Sequence, residues 1–417
     1  MAVLVALESA EGDSEESLQE LERLADTAGA EVGEAVIQRR ERPDPSHFVG
    51  KGKAQEVHET AAALGADLVI VDGELSPVQQ RNLENVAKVP VVDRTGLILD
   101  IFARRARSNE GKLQVELAQL NYTLPRLTGR GVWLSRLGGG IGTRGPGETK
   151  LEADRRRIRR RIAAVTRQVE DVRRHRATQR QARQASMILT ASLIGYTNAG
   201  KSTLLNALSG ADAMVEDKLF ATLDPTIRRV ALPEGFSILL ADTVGFIRNL
   251  PHQLVAAFRA TFEEVAQSDL LVHVVDASHA EMVEQMAAVE GVLGEIGVPE
   301  KRMVTVFNKA DAVQDMETVE IRARRCAPSV IVSALQGTGL DALRQTLAAE
   351  VRRQLRRVEV LLPLERADLA SLAHEHGRVA AEQYSAEGIE LVAEVPGDLA
   401  ERLAAADLNA PEPAEEW

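Results

Sequence analysis

The stretch of residues 191–203, with the sequence ASLIGYTNAGKST, limits the possible folds of this chain more than any other feature. Apolar residues lead into Gly195, and Gly200, Lys201 and Ser202 follow before an apolar helical pattern begins. A strand, a glycine loop and a helix in this order predict a phosphate-binding P-loop. At such a loop, backbone N–H groups face one point, and the helix dipole favours negative charge there. A glycine-rich turn with a chance lysine is the alternative, and it does not account for the order of the elements.

Two side chains of this loop have predicted roles in binding a nucleotide. Lys201 can reach the β- and γ-phosphates of a nucleoside triphosphate. The Ser202 hydroxyl is placed to ligate Mg²⁺, a small cation that takes hard oxygen ligands. We therefore expect Mg²⁺ as the cofactor.

A later apolar run, residues 238–245, ends in the pattern Asp-x-x-Gly. The Asp242 carboxylate would hold Mg²⁺, mostly through water, and the Gly245 N–H would meet the γ-phosphate. Because that second contact exists only in the triphosphate state, the segment can sense hydrolysis.

Residues 219–229, between the P-loop and Asp242, must supply a threonine that closes over the γ-phosphate. Its hydroxyl would ligate Mg²⁺ and its N–H would contact phosphate. We expect Thr222 in this role, with Thr226 as the alternative. A surface loop of β-branched residues is the other interpretation of the segment.

Another apolar run, residues 303–311, ends in Asn-Lys-x-Asp. Asp311 can accept two hydrogen bonds from the N1–H and the exocyclic amine of guanine. Adenine lacks that pair of donors, so a buried aspartate would be left unsatisfied beside it. Asn308 and Lys309 would brace the loop and cover the base, and the backbone of residues 333–335 is expected near the guanine carbonyl oxygen.

Together these segments predict one guanine-nucleotide site that binds Mg²⁺. The predicted metal ligands are Ser202, Thr222 and Asp242. The predicted nucleotide-binding residues are Gly195, Tyr196, Thr197, Asn198, Ala199, Gly200, Lys201, Ser202, Thr203, Phe220, Ala221, Thr222, Leu223, Asp224, Asp242, Thr243, Val244, Gly245, Asn308, Lys309, Ala310, Asp311, Ser333, Ala334 and Leu335.

A chain of 417 residues is too long for one hydrophobic core and suggests several domains. The expected fold class is multidomain α/β, and its GTPase domain has a mostly parallel sheet flanked by helices. The expected parts are an N-terminal α/β domain (1–93), a helical hairpin (94–186) with a glycine-rich loop (138–147), the P-loop GTPase domain (187–355), a small α+β module (356–409) and a disordered acidic tail (410–417). Within them, strands are predicted at 3–7, 31–38, 67–71 and 358–363, helices at 15–28, 53–64, 77–86 and 367–375, and a hairpin of strands at 378–383 and 389–395. The helical pattern of residues 94–127 is predicted to end at Pro125.

The formal net charge of −12 by itself argues against nucleic acid. However, the helix predicted over residues 151–184 carries twelve arginines against two glutamates and two aspartates. This concentration of charge favours contact with an RNA backbone over a merely solvated face. For the lysine-bearing loop of residues 47–53, contact with RNA or a nucleotide and a plain solvated turn are both open. For the glycine-rich loop, phosphate contact and a flexible linker are both open.

Other features limit the class of protein. No apolar run approaches the length that crosses a bilayer, and the first residues lack a signal-peptide pattern, so we expect a cytoplasmic protein. The single cysteine, Cys326, excludes an internal disulfide and a cysteine-based zinc site.

Several motifs carry a resemblance to a known family. They are GYTNAGKST at 195–203, FATLDPT at 220–226, DTVGFIRNLPH at 242–252 and GGGIGTRGPGETK at 138–150, with FVGKGK at 48–53 and DGELSP at 72–77. On these residues the sequence resembles the HflX family of ribosome-associated GTPases, of the translation-factor class. The resemblance extends over about residues 2–345 and matches the C-terminal module only in outline.

The resemblance implies that the N-terminal domain and the helical hairpin engage the large ribosomal subunit. It further implies ribosome-stimulated GTP hydrolysis and, in some members, the splitting or rescue of stalled ribosomes. Basic residues would then hold ribosomal RNA through its phosphates, which fix position without a base code. Expected partners are GTP or GDP, the large subunit and its RNA, and we expect a monomer. The candidates for RNA contact are Lys51, Lys53, Arg144, Lys150, Arg155, Arg156, Arg159 and Arg160.

Phe246 follows Gly245 at the position where many small GTPases place a glutamine that orients the attacking water. A phenyl ring cannot hydrogen-bond water, so we expect slow intrinsic turnover and a ribosome that orders two switches. The first switch is residues 219–229 and the second switch is residues 246–254. The alternative is that Phe246 simply packs while backbone groups position the water. Two other functions stay open: a GTP-gated RNA or ribosome tether, and an ATP-driven RNA remodelling enzyme.

Overall fold

The structure is a computed structural model that describes residues 1–8, 14–127, 146–184, 188–210, 218–248, 264–298 and 301–409, without the side chains of 14, 146–150, 173 and 175–184. Four predicted features lie outside the described residues. They are residues 138–145 of the glycine-rich loop, which include Arg144, the side chain of Lys150, residues 249–254 of the second switch, and the acidic tail. Within the described ranges, no helix has the length and apolar character that a bilayer crossing requires.

The described residues form two compact units. The first unit contains residues 1–8, 14–127, 146–173 and 218–224. The second contains residues 174–184, 188–210, 225–248, 264–298 and 301–409.

The first unit is built on a parallel sheet with the strand order β2-β1-β3-β4. Strand β1 is a nearly unbroken apolar run because a parallel strand with helices on both faces is buried on both. The alternation of strands and helices that the sequence predicted is confirmed. The strands are β1 (Ala2–Glu8), β2 (Val32–Arg39), β3 (Leu68–Val71) and β4 (Val91–Asp93), connected by α1 (Ser14–Thr27), α2 (Lys51–Leu64) and α3 (Pro77–Ala87).

The start of α2 differs from the predicted lysine loop. Gly50 is extended (φ −62°, ψ 154°) and acts as the N-cap, and its carbonyl accepts the Ala54 N–H at 2.9 Å. The Gln38 side-chain oxygen accepts the Gly50 N–H at 2.8 Å and holds this turn beside β2. The helix therefore begins at Lys51, so Lys51 and Lys53 lie in its first turn.

After β4 the predicted helical stretch forms two helices, α4 (Arg94–Arg105) and α5 (Asn109–Arg126). The N-cap of α5 is Ser108, whose side chain satisfies one of the helix's initial N–H groups. The helix runs through Pro125 to Arg126, so the predicted end at Pro125 was wrong by one residue. Proline has no N–H to donate to the carbonyl four residues earlier, so the helix ends soon after Pro125, and hydrogen bonds of the Arg126 guanidinium hold this last turn.

The long basic helix is α6 (Pro146–Gln184). Its Arg161 forms two hydrogen bonds with the Glu116 carboxylate of α5, at 2.5 and 2.8 Å, which tie together the two helices of the predicted hairpin. Val165 is fully buried, and the other predicted seam positions are partly buried: Leu151, Ile158, Ile162, Val169 and Val172.

The second unit contains a six-stranded sheet with the order β10-β9-β8-β5-β7-β6. All neighbouring strands are parallel except β6, which is antiparallel to β7. The mostly parallel sheet predicted for the GTPase domain is confirmed. The strands are β5 (Thr190–Ile194), β6 (Thr226–Ala231), β7 (Ser237–Asp242), β8 (Leu270–Asp276), β9 (Met303–Asn308) and β10 (Ser329–Ile331), and the helices are α7 (Lys201–Ser209), α8 (Met282–Glu295), α9 (Met316–Arg325) and α10 (Leu340–Gln354).

The C-terminal module is a three-stranded antiparallel sheet with the order β11-β13-β12. The sequence predicted its strands and first helix but missed α12, whose buried residues are only Leu399, Ala400 and Leu403. Such a short pattern gives little periodic signal. The elements are β11 (Arg356–Leu362), α11 (Ala367–His376), β12 (Arg378–Tyr384), β13 (Ile389–Val395) and α12 (Gly397–Ala405).

The Asp93 side chain is a buried acceptor at the start of α4. It is fully buried and accepts the N–H groups of Leu75 and Gly96 at 3.0 and 2.8 Å. It also accepts the Tyr122 hydroxyl at 2.7 Å and pairs with the Arg126 guanidinium at 2.9 Å. One carboxylate therefore joins β4, the start of α4, the loop before α3 and the C-terminal end of α5.

Replacing Asp93 with Ala should destabilise the N-terminal unit locally. The change leaves the partly buried Arg126 guanidinium and two N–H groups without this acceptor, which is expected to cost about 3–5 kcal/mol. Hydrogen–deuterium exchange should accelerate in peptides from α4 and α5. Asp26→Ala, at an exposed position of α1, is the control and should leave exchange unchanged. Equal protection in the two variants would show that Asp93 does not hold these helices.

Candidate nucleotide site

Close contacts require both ends of the P-loop to be glycine: a backbone carbonyl lies beside one end and a side-chain amide beside the other. Gly195 has a φ of 151°, and a Cβ there would lie 2.1 Å from the Val274 carbonyl oxygen. Gly200 has a φ of 92°, and a Cβ there would lie 2.3 Å from the Asn308 amide nitrogen. Glycine alone avoids both problems. Helix α7 begins at Lys201, so strand, loop and helix follow in the predicted order.

The Lys201 ammonium is buried inside this loop. Its Nζ donates to the carbonyl oxygens of Gly195 and Tyr196 at 3.0 and 2.8 Å. Burial lowers the pKa of Lys201 from 10.5 to about 8, and the Asp242 carboxylate partly offsets this effect. A buried cation of this kind gains from an anion placed beside it.

Ser202 and Asp242 form an oxygen donor pair. The Ser202 hydroxyl donates to the Asp242 carboxylate at 2.6 Å, and Asp242 is almost fully buried at the end of β7. A hydroxyl and a carboxylate are ligands that Mg²⁺ prefers, so these two residues fit the predicted metal. Thr222, the third predicted ligand, is a partly buried residue of the first unit.

The second switch begins with hydrogen bonds to the P-loop. The Phe246 N–H donates to the Gly195 carbonyl at 3.0 Å, and the Phe246 carbonyl accepts the Thr197 N–H at 2.7 Å. The Phe246 ring is 1% exposed, so it packs as the alternative interpretation proposed. A Cβ at Gly245 would lie 2.8 Å from the Thr197 Cα, which leaves room for glycine alone. Thr243 is buried and donates to the Leu193 carbonyl at 2.6 Å.

Asn308 joins the predicted base-binding loops to the P-loop. Its amide nitrogen donates to the Ala199 carbonyl at 2.9 Å, and its amide oxygen accepts the Ala334 N–H at 3.0 Å. Lys309 follows with a φ of 62° and forms an ion pair with Asp276 at 2.6 Å. These contacts bracing the loop agree with the role expected of Asn308 and Lys309.

Asp311 differs from the prediction in one respect. This aspartate was expected to be buried, and the structure shows it exposed in a turn after β9. The fully buried Ser333 donates its hydroxyl to the Asp311 carboxylate and so orients it. Leu335, predicted at the same place, has an 80% exposed side chain. The fold alone therefore does not bury Asp311.

Residues 220–224, predicted for the nucleotide site, belong to the first unit. Phe220 and Leu223 are buried, and Ala221, Thr222 and Asp224 are partly buried. The Asp224 carboxylate accepts hydrogen bonds from Arg107 and Ser108. The structure thus places this segment in contact with the helical region, and its predicted contact with nucleotide stays a prediction.

The described candidates for RNA contact lie on two helices. On α6, Arg156, Arg159 and Arg160 are exposed and Arg155 is partly buried. On α2, Lys51 is exposed, whereas Lys53 is paired with Glu56 at 2.8 Å.

Sequence reasoning missed two residues of β8, one in the middle of the strand and one at its carboxyl end. Asp276 holds Lys309, and its place at the end of a parallel strand was the available signal. His273 is 2% exposed, and burial together with the charge of Lys201 lowers its pKa to about 4. A histidine within an apolar strand gives no pattern that predicts such a position.

Three family models match the chain. The model described as "GTP-binding GTPase N-terminal" matches residues 15–103, and "GTP-binding GTPase Middle Region" matches residues 105–183. The model described as "50S ribosome-binding GTPase" matches residues 190–309, which contain the P-loop, Asp242 and Asn308.

Curated relatives resemble the chain over nearly its whole length. It is 50% identical over 402 residues to "GTPase HflX" of Caldanaerobacter subterraneus subsp. tengcongensis, covering 96% of this chain and 92% of the relative. It is 46% identical over 371 residues to "GTPase HflX" of Escherichia coli, covering 89% and 87%. Among solved structures, a GTP-binding protein from Sulfolobus solfataricus in complex with GDP is 27% identical, with a TM-score of 0.44, covering 84% of this chain and 98% of that one.

Nucleotide affinity should fall as the pH rises above about 8. Below that pH Lys201 is already charged, so its protonation does not affect binding. Above it the free protein has lost this proton, and phosphate binding must restore it. Calorimetry of GDP binding in buffers of different ionisation enthalpy should detect little proton uptake by this group at pH 7 and about one proton at pH 9.

The exposed lysine variant Lys112→Met is the control and should keep this pH dependence. His273, with a pKa of about 4, does not titrate in this range. Equal proton uptake at pH 7 and pH 9 would contradict the assignment to Lys201.

Proposed function

Because this chain belongs to the HflX family of GTPases and is a GTP hydrolase, we propose that it binds the large ribosomal subunit and couples the GTP cycle to ribosome association. The splitting or rescue of stalled ribosomes is the proposed outcome of that cycle. The observation that carries the proposal is the match of residues 190–309 to the "50S ribosome-binding GTPase" model. The exposed arginines of α6 support it, since they offer positive charge to an RNA backbone.

In the proposed site the P-loop binds the phosphates of GTP. The backbone N–H groups at the start of α7 face the anion, and Lys201 supplies the buried positive charge. When bound, Mg²⁺ would neutralise charge on the β- and γ-phosphates. Ser202 and Asp242, with Thr222 from the first switch, are the residues proposed to hold it.

Guanine selectivity is proposed to rest on Asp311. The Ser333 hydroxyl donates to the Asp311 carboxylate and orients it, and the Ala334 N–H donates to the Asn308 side-chain oxygen. A carboxylate that accepts from N1–H and the exocyclic amine favours guanine over adenine. This arrangement favours GTP over ATP in the main site.

Turnover is proposed to be slow without a partner. The buried Phe246 ring cannot orient water, and its backbone is committed to hydrogen bonds with the P-loop. Other GTPases depend on a partner for much of their rate. We propose that the large subunit supplies this contribution by ordering the two switches.

Phosphate release from GTP and from ATP, with and without purified large ribosomal subunits, tests the proposal directly. We expect GTP-selective stimulation that weakens between 50 and 200 mM salt, on the order of 10³-fold in affinity if six phosphates are contacted. The variant Arg156→Gln/Arg159→Gln/Arg160→Gln should weaken subunit binding and reduce its salt dependence. The double variant Arg159→Gln/Arg160→Gln should show the same direction of change, and Arg324→Gln/Arg325→Gln, which removes two exposed charges from α9, should not.

Each outcome of this assay has a defined meaning. The absence of both subunit binding and stimulation at either salt concentration would overturn the proposed partner. Stimulation that survives in the α6 variant would leave the partner and remove α6 as its contact. Binding to the large subunit without stimulated GTP hydrolysis, together with a Lys201→Ala variant that still dissociates from the subunit normally, would favour a GTP-gated tether.

Asp311→Asn should change the base that the site prefers. An amide donates where the carboxylate accepted, so GDP affinity should fall by about 100-fold. Xanthosine diphosphate carries an oxygen in place of the exocyclic amine, so it should bind the variant more tightly than it binds the unmodified protein. Competition binding measures both, with Asp341→Asn, at an exposed position, as the control. Retained guanine preference would show that another group selects the base.

A further inference from the structure

Thr197 carries a buried hydroxyl inside the P-loop. The residue is 6% exposed, and its side-chain oxygen is shielded from solvent. Among the residues that the structure describes, none forms a hydrogen bond with this oxygen. A buried hydroxyl without a partner has given up its hydrogen bonds to water and gained none in return, so it destabilises the protein. Such a group calls for an explanation, because the large majority of buried polar atoms have a partner.

The backbone around Thr197 is held in place by hydrogen bonds. The Thr197 N–H donates to the Phe246 carbonyl at 2.7 Å, and the Phe246 N–H donates to the Gly195 carbonyl at 3.0 Å. The Tyr196 carbonyl, one residue earlier, accepts the Lys201 ammonium at 2.8 Å. With the backbone fixed in this way, rotation about the Cα–Cβ bond is the freedom that remains to the hydroxyl.

The methyl group of Thr197 lies beside Gly245, at the start of the second switch. Of the atoms in the Thr197 side chain, the methyl carbon is nearest to the position of a Cβ built on Gly245, at 2.8 Å. The Lys201 Nζ lies 3.1 Å from the same position. The Thr197 methyl group, the Lys201 ammonium and Gly245 therefore meet at one place in the second unit, and Gly245 is the residue whose N–H is expected to meet the γ-phosphate.

Rotation of the Thr197 side chain can bring its hydroxyl to that place. The hydroxyl and the methyl group both stand on Cβ, and the staggered positions about the Cα–Cβ bond are about 120° apart. One such rotation puts the hydroxyl where the methyl group now lies, next to Gly245 and the Lys201 ammonium. A phosphate oxygen at this point can accept the hydroxyl proton, and a hydrogen bond to a charged acceptor is stronger than one to a neutral acceptor.

We propose that the Thr197 hydroxyl turns toward the γ-phosphate of GTP and donates a hydrogen bond to it. This inference rests on the proposed function, because it takes the Gly245 N–H as the group that meets the γ-phosphate. GDP has no γ-phosphate and leaves the hydroxyl without this partner. The free energy that the protein loses by burying the hydroxyl is then recovered only with GTP bound, so Thr197 favours GTP over GDP. It supplies a side-chain donor next to Phe246, which supplies none.

The test compares affinities for GDP and for a non-hydrolysable GTP analogue in the full chain, without ribosomal subunits. Thr197→Val removes the hydroxyl and keeps the branched shape of the side chain. It should weaken analogue binding by about tenfold and leave GDP binding unchanged, because the lost hydrogen bond involves the γ-phosphate alone. Thr197→Ser keeps the hydroxyl and should retain the preference for the analogue.

Unfolding of the nucleotide-free protein separates this contact from a structural role. Valine removes a buried hydroxyl that has no partner, so the denaturation midpoint of Thr197→Val should equal or exceed that of the unmodified protein. A lower midpoint together with weaker binding of both nucleotides would show that the side chain supports the loop, and would overturn the inference. Thr346→Val is the matched control on α10, where the Thr346 hydroxyl donates to the Ala342 carbonyl at 2.9 Å, and it should change neither affinity.

Lys201→Ala separates this inference from the proposed function. It should weaken the binding of both nucleotides, because the ammonium reaches the β- and γ-phosphates. Unchanged affinities in this variant would overturn the proposed phosphate site and the inference with it. If Lys201→Ala has its effect while Thr197→Val binds the analogue as tightly as the unmodified protein does, the inference is overturned and the proposed function stands. An equal loss for GDP and the analogue in Thr197→Val would also overturn it, since the contact would then not be with the γ-phosphate.

Phosphorus NMR of the bound analogue gives a second measurement that reports on the contact itself. A hydrogen bond from the Thr197 hydroxyl changes the surroundings of the γ-phosphate and not those of the α-phosphate. The γ-phosphate resonance should therefore differ between the unmodified protein and Thr197→Val, while the α-phosphate resonance stays the same. Thr197→Ser should restore the γ-phosphate resonance of the unmodified protein. Identical γ-phosphate resonances in the unmodified protein and Thr197→Val would contradict the contact.

Discussion

The nucleotide site depends on the buried amide of Asn308. Its nitrogen donates to Ala199 in the P-loop and its oxygen accepts from Ala334 in the base-binding region. An amide is needed because it is both donor and acceptor, which neither a carboxylate nor an alkyl group can be. The same nitrogen excludes a Cβ at Gly200, so the glycine of the phosphate loop and the asparagine of the base loop require each other. Two motifs far apart in sequence are therefore one structural unit.

The sequence predicted the HflX family, the α/β fold class and the loops that carry the nucleotide motifs, because each depends on residue types that few alternatives can replace. The P-loop needs glycine at Gly195 and Gly200, and the parallel sheets need continuous apolar strands. It did not predict where α2 begins, because the Gly50 cap depends on Gln38 of another strand. The sequence also did not predict that Asp311 is exposed, since a motif specifies the chemistry of a side chain and not its surroundings.

The contact of Asp224 with Ser108 marks the limit of motif reasoning more sharply. The two residues are 116 positions apart, and neither local periodicity nor spacing relates them. Because Asp224 lies beside Thr222 in the chain, it was expected at the nucleotide site. The structure shows it as an acceptor at the start of α5, where three donors converge. A residue within a nucleotide motif can thus serve the neighbouring helices.

Charge in the P-loop follows from the same burial that shapes it. Desolvation lowers the pKa of Lys201 to about 8, yet the residue stays mostly charged at neutral pH, beside carbonyl oxygens and Asp242. That charge in turn helps to keep His273 neutral, with a pKa of about 4. The two residues therefore contribute one positive charge at neutral pH and not two. Because a buried charge attracts an anion more strongly than a solvated one, the cost of burying Lys201 becomes affinity for phosphate.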